Sequence, residues 1–369
     1  MKDLFKLSLL AAVLCASSSA VIAADKPVPG MSTQMMKTGT QYKADADMQK
    51  VLDAHAALGP KPIESLSAAE ARKQPTVTDA VMSVLKMLGK DTAPTALVPG
   101  VSSVDQSIPG AAGELPVRIY TPAGAGPFPV VVYYHGGGWA LADKEVYDGG
   151  ARGLAKQADA IVMSVDYRLA PEFKFPAQHD DALAAYKWAA ANAKSINGDP
   201  MRLALAGESA GGNLALATAI AARDAGVTMP LHVLAVYPVA QVTNTMTPSY
   251  LDSGMAKPLN KAMMAWFGAQ LFNSDAEKKD PRVDLVSANL KGLPPVTVIN
   301  AQIDPLRSDG DLLVAALKAA GVKVEHKLYT GVTHEFFGMA AVVGKAKQAQ
   351  LFGGQQLKKS LRKPAAKQG

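Results

Sequence analysis

From residue 117 to residue 328 the chain alternates two kinds of segment. Runs rich in β-branched or aromatic residues recur at 117–120, 130–134, 161–165, 203–206, 233–237, 296–300 and 324–328, and most of them precede a Gly or Pro break. Most alternate with helical stretches at 149–158, 180–192, 211–225 and 310–320. Strands separated by helices pair side by side through crossover connections, so this rhythm predicts an α/β fold with a mostly parallel sheet and helices on both faces. At 369 residues, 49% of them hydrophobic, the chain can bury one large core, or a core plus a smaller cap.

Two regions depart from the rhythm. Residues 241–284 interrupt it with one helical patch, 263–272, which reads as an insertion late in the sheet, placed to cap a site. Upstream, Met48, Val51, Leu52 and His55 recur at helical spacing, and a second helix at 79–88 sets Val81, Val84 and Leu85 on one face. Gly59-Pro60-Lys61-Pro62 breaks the chain between them, and Ser67 with Glu70 has the spacing of a capping box.

The N-terminus reads as an export signal. Lys2 and Lys6 precede the apolar run from Leu7 to Cys15, and small residues follow to Val21-Ile22-Ala23-Ala24, with cleavage after Ala23 or Ala24. The expected location is the periplasm or the outside medium. No other run approaches the roughly 18 apolar residues that a membrane span needs, so stable membrane insertion is not expected. Cys15, the only cysteine, lies inside this signal, which leaves the mature chain without a disulfide or a cysteine metal site; a bulky Leu14 stands against a lipid-anchored Cys15. The net charge of +6 is modest and spread along the chain, and does not point to nucleic acid. Its densest cluster, Lys358, Lys359, Arg362, Lys363 and Lys367, reads as a frayed, solvated C-terminus.

Chemistry concentrates in three places. An apolar strand runs through Gly207-Glu208-Ser209-Ala210-Gly211 into an Ala/Leu helix, the strand–turn–helix setting of a Gly-x-Ser-x-Gly elbow with Ser209 as nucleophile. Upstream, Tyr134-His135-Gly136-Gly137-Gly138-Trp139 directly follows a strand, and such a glycine run exposes bare N–H groups; Gly136, Gly137 and the N–H of Ala210 are candidates to hold a tetrahedral oxyanion. His135 reads as an anchor of that loop rather than a base. A serine hydroxyl requires a base, and the base a partner that holds its tautomer. With the chain order Ser, acid, His of α/β-hydrolases, His232 and His326 fall in or beside strands, whereas His334 follows the last one and is the candidate base. Asp304, just beyond the strand at 296–300, is the candidate acid; Asp309 and Asp311 read as first-turn helix residues that favour the helix dipole.

Together these residues resemble the hormone-sensitive-lipase-like family of esterases. The shared stretches are His135-Gly-Gly-Gly-Trp139, Val165-Asp-Tyr-Arg-Leu-Ala-Pro-Glu172, Phe175-Pro-Ala177, Gly207-Glu-Ser-Ala-Gly-Gly-Asn213 and Asp304-Pro-Leu-Arg307, and Leu58-Gly-Pro60 with Ala69-Glu-Ala-Arg72 is similar to that family's cap. The resemblance implies an α/β-hydrolase fold and carboxylester hydrolysis of short or medium acyl chains, without cofactor or metal. It matches Ser209, Asp304 and His334 to the family's triad and Gly136, Gly137 and Ala210 to its oxyanion hole. One departure stands out: the family's common form has Asp before the serine, and this chain has Glu208, which implies tuning of the elbow.

The expected organisation is a signal at 1–23, an arm and helical cap at 24–96, a catalytic domain at 97–360 with a cap insertion at 241–284, and a basic tail at 361–369. The expected partner is a small-molecule ester, with lactones, amides or peptides as same-fold alternatives and a non-catalytic binding protein as an alternative of another class. Monomer and homodimer both remain open. Asp166, Arg168 and Glu172 read as one polar brace, Asp180 and Asp181 as helix-start residues without a chemical role, and Trp139, Trp266, Phe267 and Phe336 as either pocket walls or core.

Overall fold

A computed structural model describes residues 42–362; the expected export signal, nearly all of the expected arm and the end of the basic tail lie outside the described residues. Helices α1 (Ala46–Ala57), α2 (Ala68–Ala71), α3 (Val77–Met87) and α4 (Pro94–Leu97) precede the sheet. The Ser67–Glu70 pair forms the expected capping box at the start of α2, and Thr76 with Asp79 forms a second at the start of α3.

The strands β1 (Val101–Pro109), β2 (Glu114–Pro122), β3 (Phe128–Tyr134), β4 (Ile161–Val165), β5 (Gly198–Glu208), β6 (Val233–Val236), β7 (Val296–Ile303) and β8 (Val324–Thr333) form one sheet in the order β1-β2-β4-β3-β5-β6-β7-β8. From β4 across to β8 every pair is parallel, while β1–β2 and β2–β4 are antiparallel. The chain therefore has the expected mostly parallel sheet. Between the strands run α5 (Asp148–Ala158), α6 (Ala177–Asn192), α7 (Ala210–Asp224), α8 (Pro248–Ser253), α9 (Lys261–Leu271) and α10 (Arg307–Ala319), and α11 (Gly344–Ser360) closes the described chain.

Strand periodicity sorts the core into two layers. Along β3, Val130, Val132 and Tyr134 join the apolar layer that also holds Ala185 of α6, Leu214 of α7 and Leu317 of α10. Val131 and Tyr133 point the other way, into a layer with Leu154 of α5, Leu357 of α11 and Val51 of α1. Because both faces are covered, β3 is buried at every residue and its sequence is continuously apolar.

Two elements differ from expectation. Strand β1 carried no alternating signal because it is an edge strand: most of its side chains are exposed, and backbone pairing in register with β2 holds it. The C-terminal segment does not fray at Lys358 and Lys359. These residues end α11, where Leu357 and the following Leu361 are buried and Ser360 bonds His232 at 2.9 Å. The small and polar residues of α11 hid its apolar side.

Leu154 is fully buried between α5 and the sheet. Leu154→Ala should lower unfolding stability by about 2–5 kcal/mol, read as a lower urea midpoint at unchanged slope.

Candidate active site

The parallel strands deliver every candidate residue at one edge of the sheet, since Ser209 follows β5, Asp304 follows β7, His334 follows β8 and the glycine run follows β3. At the elbow Ser209 has φ 58° and ψ −119°, a conformation that costs a non-glycine residue about 1–3 kcal/mol and that tertiary packing must hold. The packing here is backbone on backbone. A Cβ on Gly207 would strike the Gly211 carbonyl oxygen, and one on Gly211 would strike the carbonyl oxygen of Tyr134 at the end of β3. The Ser209 N–H donates to Val236 O at 2.9 Å, which ties the turn to β6.

Ser209, His334 and Asp304 form one hydrogen-bonded row. Ser209 Oγ–H donates to His334 Nε2 at 2.9 Å, and His334 Nδ1–H donates to Asp304 Oδ2 at 2.7 Å, the tautomer that suits both contacts. Asp304 is fully buried, and its other oxygen accepts the Leu306 N–H at 2.8 Å. Burial works against the imidazolium of His334, but the charge of Asp304 and its hydrogen bond outweigh that, aided by Glu335 and Glu208, so the ring's pKa lies above its ordinary 6.5. His232 and His326 stay apart from this row. His232 is buried between Thr297 and Ser360, and His326 stands against Asn300.

The glycine run makes a strained turn, with Gly137, Gly138 and Trp139 at φ 95°, 58° and 60°. Gly137 has no room for a side chain, because a Cβ there would strike Leu141 O, and one on Gly138 would enter the ring of Phe267. His135 anchors the loop as expected: Nδ1–H donates to Gly136 O at 2.8 Å, and the ring stacks on Tyr167 at 4.3 Å between centroids. The N–H groups of Gly136 and Gly137 have no hydrogen-bond acceptor among the described residues. Ala210 opens α7, so its N–H points out of the helix start toward the serine.

Ser209, His334, Gly137 and Gly138 line a cavity of about 620 Å³. Its walls come from the body, from the segment that carries α1–α3 and from residues 257–267, with Leu52, Ile63, Leu259 and Phe267 among the apolar contributors. Of the four aromatics singled out in the sequence only Phe267 lines it. Trp139 is buried, Trp266 donates its indole N–H to Leu66 O at 3.0 Å, and Phe336 packs against Tyr237 and Tyr329. A second cavity of about 840 Å³ is lined by Glu208 and Tyr147, and Glu335, at φ 65°, lines both.

Glu208 lies behind the serine, buried, and accepts the hydroxyls of Tyr133 and Tyr237. Desolvation pushes its carboxyl up to about 7, against the pull of both phenols. It fits because Gly150 in α5 has no side chain; a Cβ there would strike Glu208 Oε1. The ring of Tyr237 lies 4.5 Å from that of His334, so the same phenol that binds Glu208 also walls the imidazole. Nothing in the sequence singled out Tyr237 or Tyr147: Tyr237, at a strand end, reads as core, and Tyr147, just ahead of α5, belongs to no motif.

Three expectations change. Asp166, Arg168 and Glu172 are not one brace: Asp166 binds Lys144 Nζ at 2.6 Å, Arg168 binds Asp181, and Glu172 binds Arg72. Asp181 does have a role, since it is fully buried and holds Arg168 through both oxygens at 2.8 and 2.9 Å. Asp309 does more than face a helix dipole. Buried, it accepts the N–H groups of Ala240 and Gln241 at 3.3 Å and the Gln241 side chain at 3.0 Å, and burial raises its pKa to about 7.

Residues 131–338 match the family described as alpha/beta hydrolase fold. The chain is 40% identical over 215 residues to a carboxylesterase of Mycobacterium tuberculosis, spanning 57% of this chain and 67% of that protein. It is 36% identical over 283 residues to an esterase of the same species, spanning 74% of this chain and 87% of the relative. A solved esterase of Pyrobaculum calidifontis superposes on 86% of this chain and 100% of its own, with a TM-score of 0.76 and 34% identity.

The buried carboxyl of Glu208 gives a pH signature. A folded pKa of about 7 against an ordinary 4.5 means that the native state binds the extra proton between those values, so stability falls as pH rises through that window and then levels. Glu208→Gln should remove this component. The stability difference between wild type and variant should shrink by about 3 kcal/mol from pH 4.5 to 7 in urea melts, and a constant difference would mean that Glu208 is ionised throughout.

Proposed function

The chain belongs to the hormone-sensitive-lipase-like branch of the α/β-hydrolase family and is a carboxylic ester hydrolase, and on that premise we propose that it is an exported esterase acting on short- to medium-chain esters through Ser209, His334 and Asp304. The observation that carries the reading is the hydrogen-bonded row from Ser209 Oγ through His334 to Asp304, facing a cavity that the glycine loop also lines.

Ser209 Oγ attacks the ester carbonyl carbon as its proton passes to His334 Nε2. The carbonyl oxygen becomes anionic and is held by the N–H groups of Gly136, Gly137 and Ala210, donors of a kind worth roughly 10²–10³ in rate each. His334 then gives the proton to the leaving alkoxide, the alcohol departs, and the acyl group stays on Ser209. Water, losing its proton to the same nitrogen, attacks the acyl carbon; the bond to Ser209 Oγ breaks, His334 returns the proton to that oxygen, and the acid leaves. Asp304 stays ionised and stabilises the imidazolium in both halves.

The cavity of about 620 Å³ suits an acyl or alcohol chain of modest length, with residues 42–96 and 241–284 acting as the cap over it. Export rests on Lys2, Lys6 and the apolar run to Cys15, with a mature chain that begins at Ala24 or Asp25. N-terminal sequencing of protein recovered from the periplasm of a bacterial host tests this; an intact Met1 refutes it.

Turnover of nitrophenyl esters from acetate upward should peak at short or medium chains and fall at least 10³-fold in Ser209→Ala, with an unchanged melting temperature. Retained activity in that variant would sink the assignment. The kcat/KM profile should lose activity toward acid with an apparent pKa above 6.5, because His334 must be neutral to take the serine's proton.

A further inference from the structure

The glycine loop is held from outside by a residue that none of the chemistry above uses. Arg72, at the C-terminal end of α2, sends its guanidinium into the gap between that loop and the 166–172 segment. Nε–H donates to Ala140 O at 2.9 Å, and one terminal nitrogen donates to Ala170 O at 2.8 Å. The two terminal nitrogens also grip Glu172 at 2.8 and 2.7 Å, a bidentate pair. Both carbonyls belong to the loop's own fastening. Ala170 N–H donates to Trp139 O at 2.9 Å, and Ala140 and Leu141 send their N–H groups back to Gly137 O at 3.1 and 2.9 Å.

The loop needs such a fastening. Three consecutive residues, 137–139, sit at positive φ, and one of them is Trp139, whose side chain disfavours that region. A segment in that state keeps its shape only when its carbonyls are fixed, and the Ala140 carbonyl is fixed by Arg72. The side chain itself is half-buried, and its bonds to the two carbonyls are partly shielded from water, while the pair with Glu172 is exposed. The planar fork here gives four N–H bonds, to two carbonyls and both oxygens of a carboxylate, whereas an ammonium has three donors and no bidentate edge.

We propose that Arg72 is a positioning residue for the oxyanion loop: by joining Ala140 O, Ala170 O and Glu172 it holds the Gly136 and Gly137 N–H groups where the anionic oxygen forms. The inference rests on the reading of those N–H groups as the oxyanion site and goes beyond it, since it makes the α2 segment part of transition-state stabilisation as well as a cover for the cavity. A misplacement of about 1 Å in such donors weakens the transition state far more than the bound ester.

The test uses the full chain with Arg72→Ala, Arg72→Lys and Glu172→Gln, and Ser209→Ala as the reference for the underlying reading. Arg72→Ala should lower kcat roughly 10- to 100-fold while KM stays within about threefold. Arg72→Lys should recover little of the loss, Glu172→Gln should show a smaller loss of the same kind, and millimolar ethylguanidinium should restore part of the activity of Arg72→Ala. The readout that a merely structural role would not move is a pair of ketone inhibitors. A trifluoromethyl ketone takes Ser209 Oγ at its carbonyl carbon, passes the serine proton to His334 and leaves its oxygen anionic against the loop. Its affinity should fall by the same factor as kcat/KM, while the affinity of the matching methyl ketone, bound planar, stays unchanged.

If Arg72→Ala does not fold, Arg72→Lys and Glu172→Gln carry the same comparison, since Glu172 is half-exposed and its amide keeps one acceptor. A raised KM at unchanged kcat, or equal losses for both ketones, would overturn the proposal and make Arg72 a substrate contact or a general support. Unaltered kinetics in every Arg72 variant, with Ser209→Ala inactive, would overturn it while the triad reading stands. Retained turnover in Ser209→Ala would remove that reading and this inference with it.

Discussion

The backbone at Ser209 can stay at φ 58° only because Gly207, Gly211 and the end of β3 pack there without a single intervening side chain. That close approach fixes more than the serine. It sets β5 against β3, so the elbow and the glycine loop emerge side by side, and it starts α7 directly after Ser209. It also brings Ser209 N–H to β6 and thereby ties the turn to the neighbour on its other side. The rest of the sheet then has one task, to bring the ends of β7 and β8 within hydrogen-bond reach of that hydroxyl. Parallel pairing does so because all of those strands end at the same edge.

Around this turn the protein buries an unusual set of carboxylates, and each is held differently. Asp304 faces an imidazole, Asp181 a guanidinium, Asp309 two backbone N–H groups and an amide, and Glu208 two phenols. Phenols and amides offset desolvation only in part, so Glu208 and Asp309 are pushed up to about 7. The longer side chain of Glu208 reaches its phenols because α5 presents Gly150 to it. The departure from an aspartate at the elbow is thus matched by a glycine on another element, and the change couples the serine's neighbour to the wall of His334 through Tyr237.

The segments outside the alternating region are built into the site. Trp266 of α9 bonds the backbone at Leu66, so the two parts that cover the cavity hold each other. Arg72 then bonds the turn after the glycine loop. The segments around the cavity and the glycine loop are thus joined by hydrogen bonds.

Much of this was legible in the sequence. Glycine spacing around Ser209 and the bare glycines after β3 are local consequences of steric limits, written in consecutive residues, and the order of Ser209, Asp304 and His334 along the chain follows the order of the strands that carry them. Several helices followed from apolar periodicity, and most strands from β-branched and aromatic runs ahead of Gly or Pro breaks. Only the tertiary structure decided which charges meet. Asp181 looked like a helix-start residue and grips Arg168, Glu172 was read as part of a brace with Asp166 and instead binds Arg72, and α11 showed no apolar face until β6 and α5 supplied the surface it covers. The physical reason is range: backbone sterics act between neighbours in the chain, whereas desolvation and ion pairing depend on what lies a few ångströms away in space, and one hundred residues separate Arg72 from Glu172.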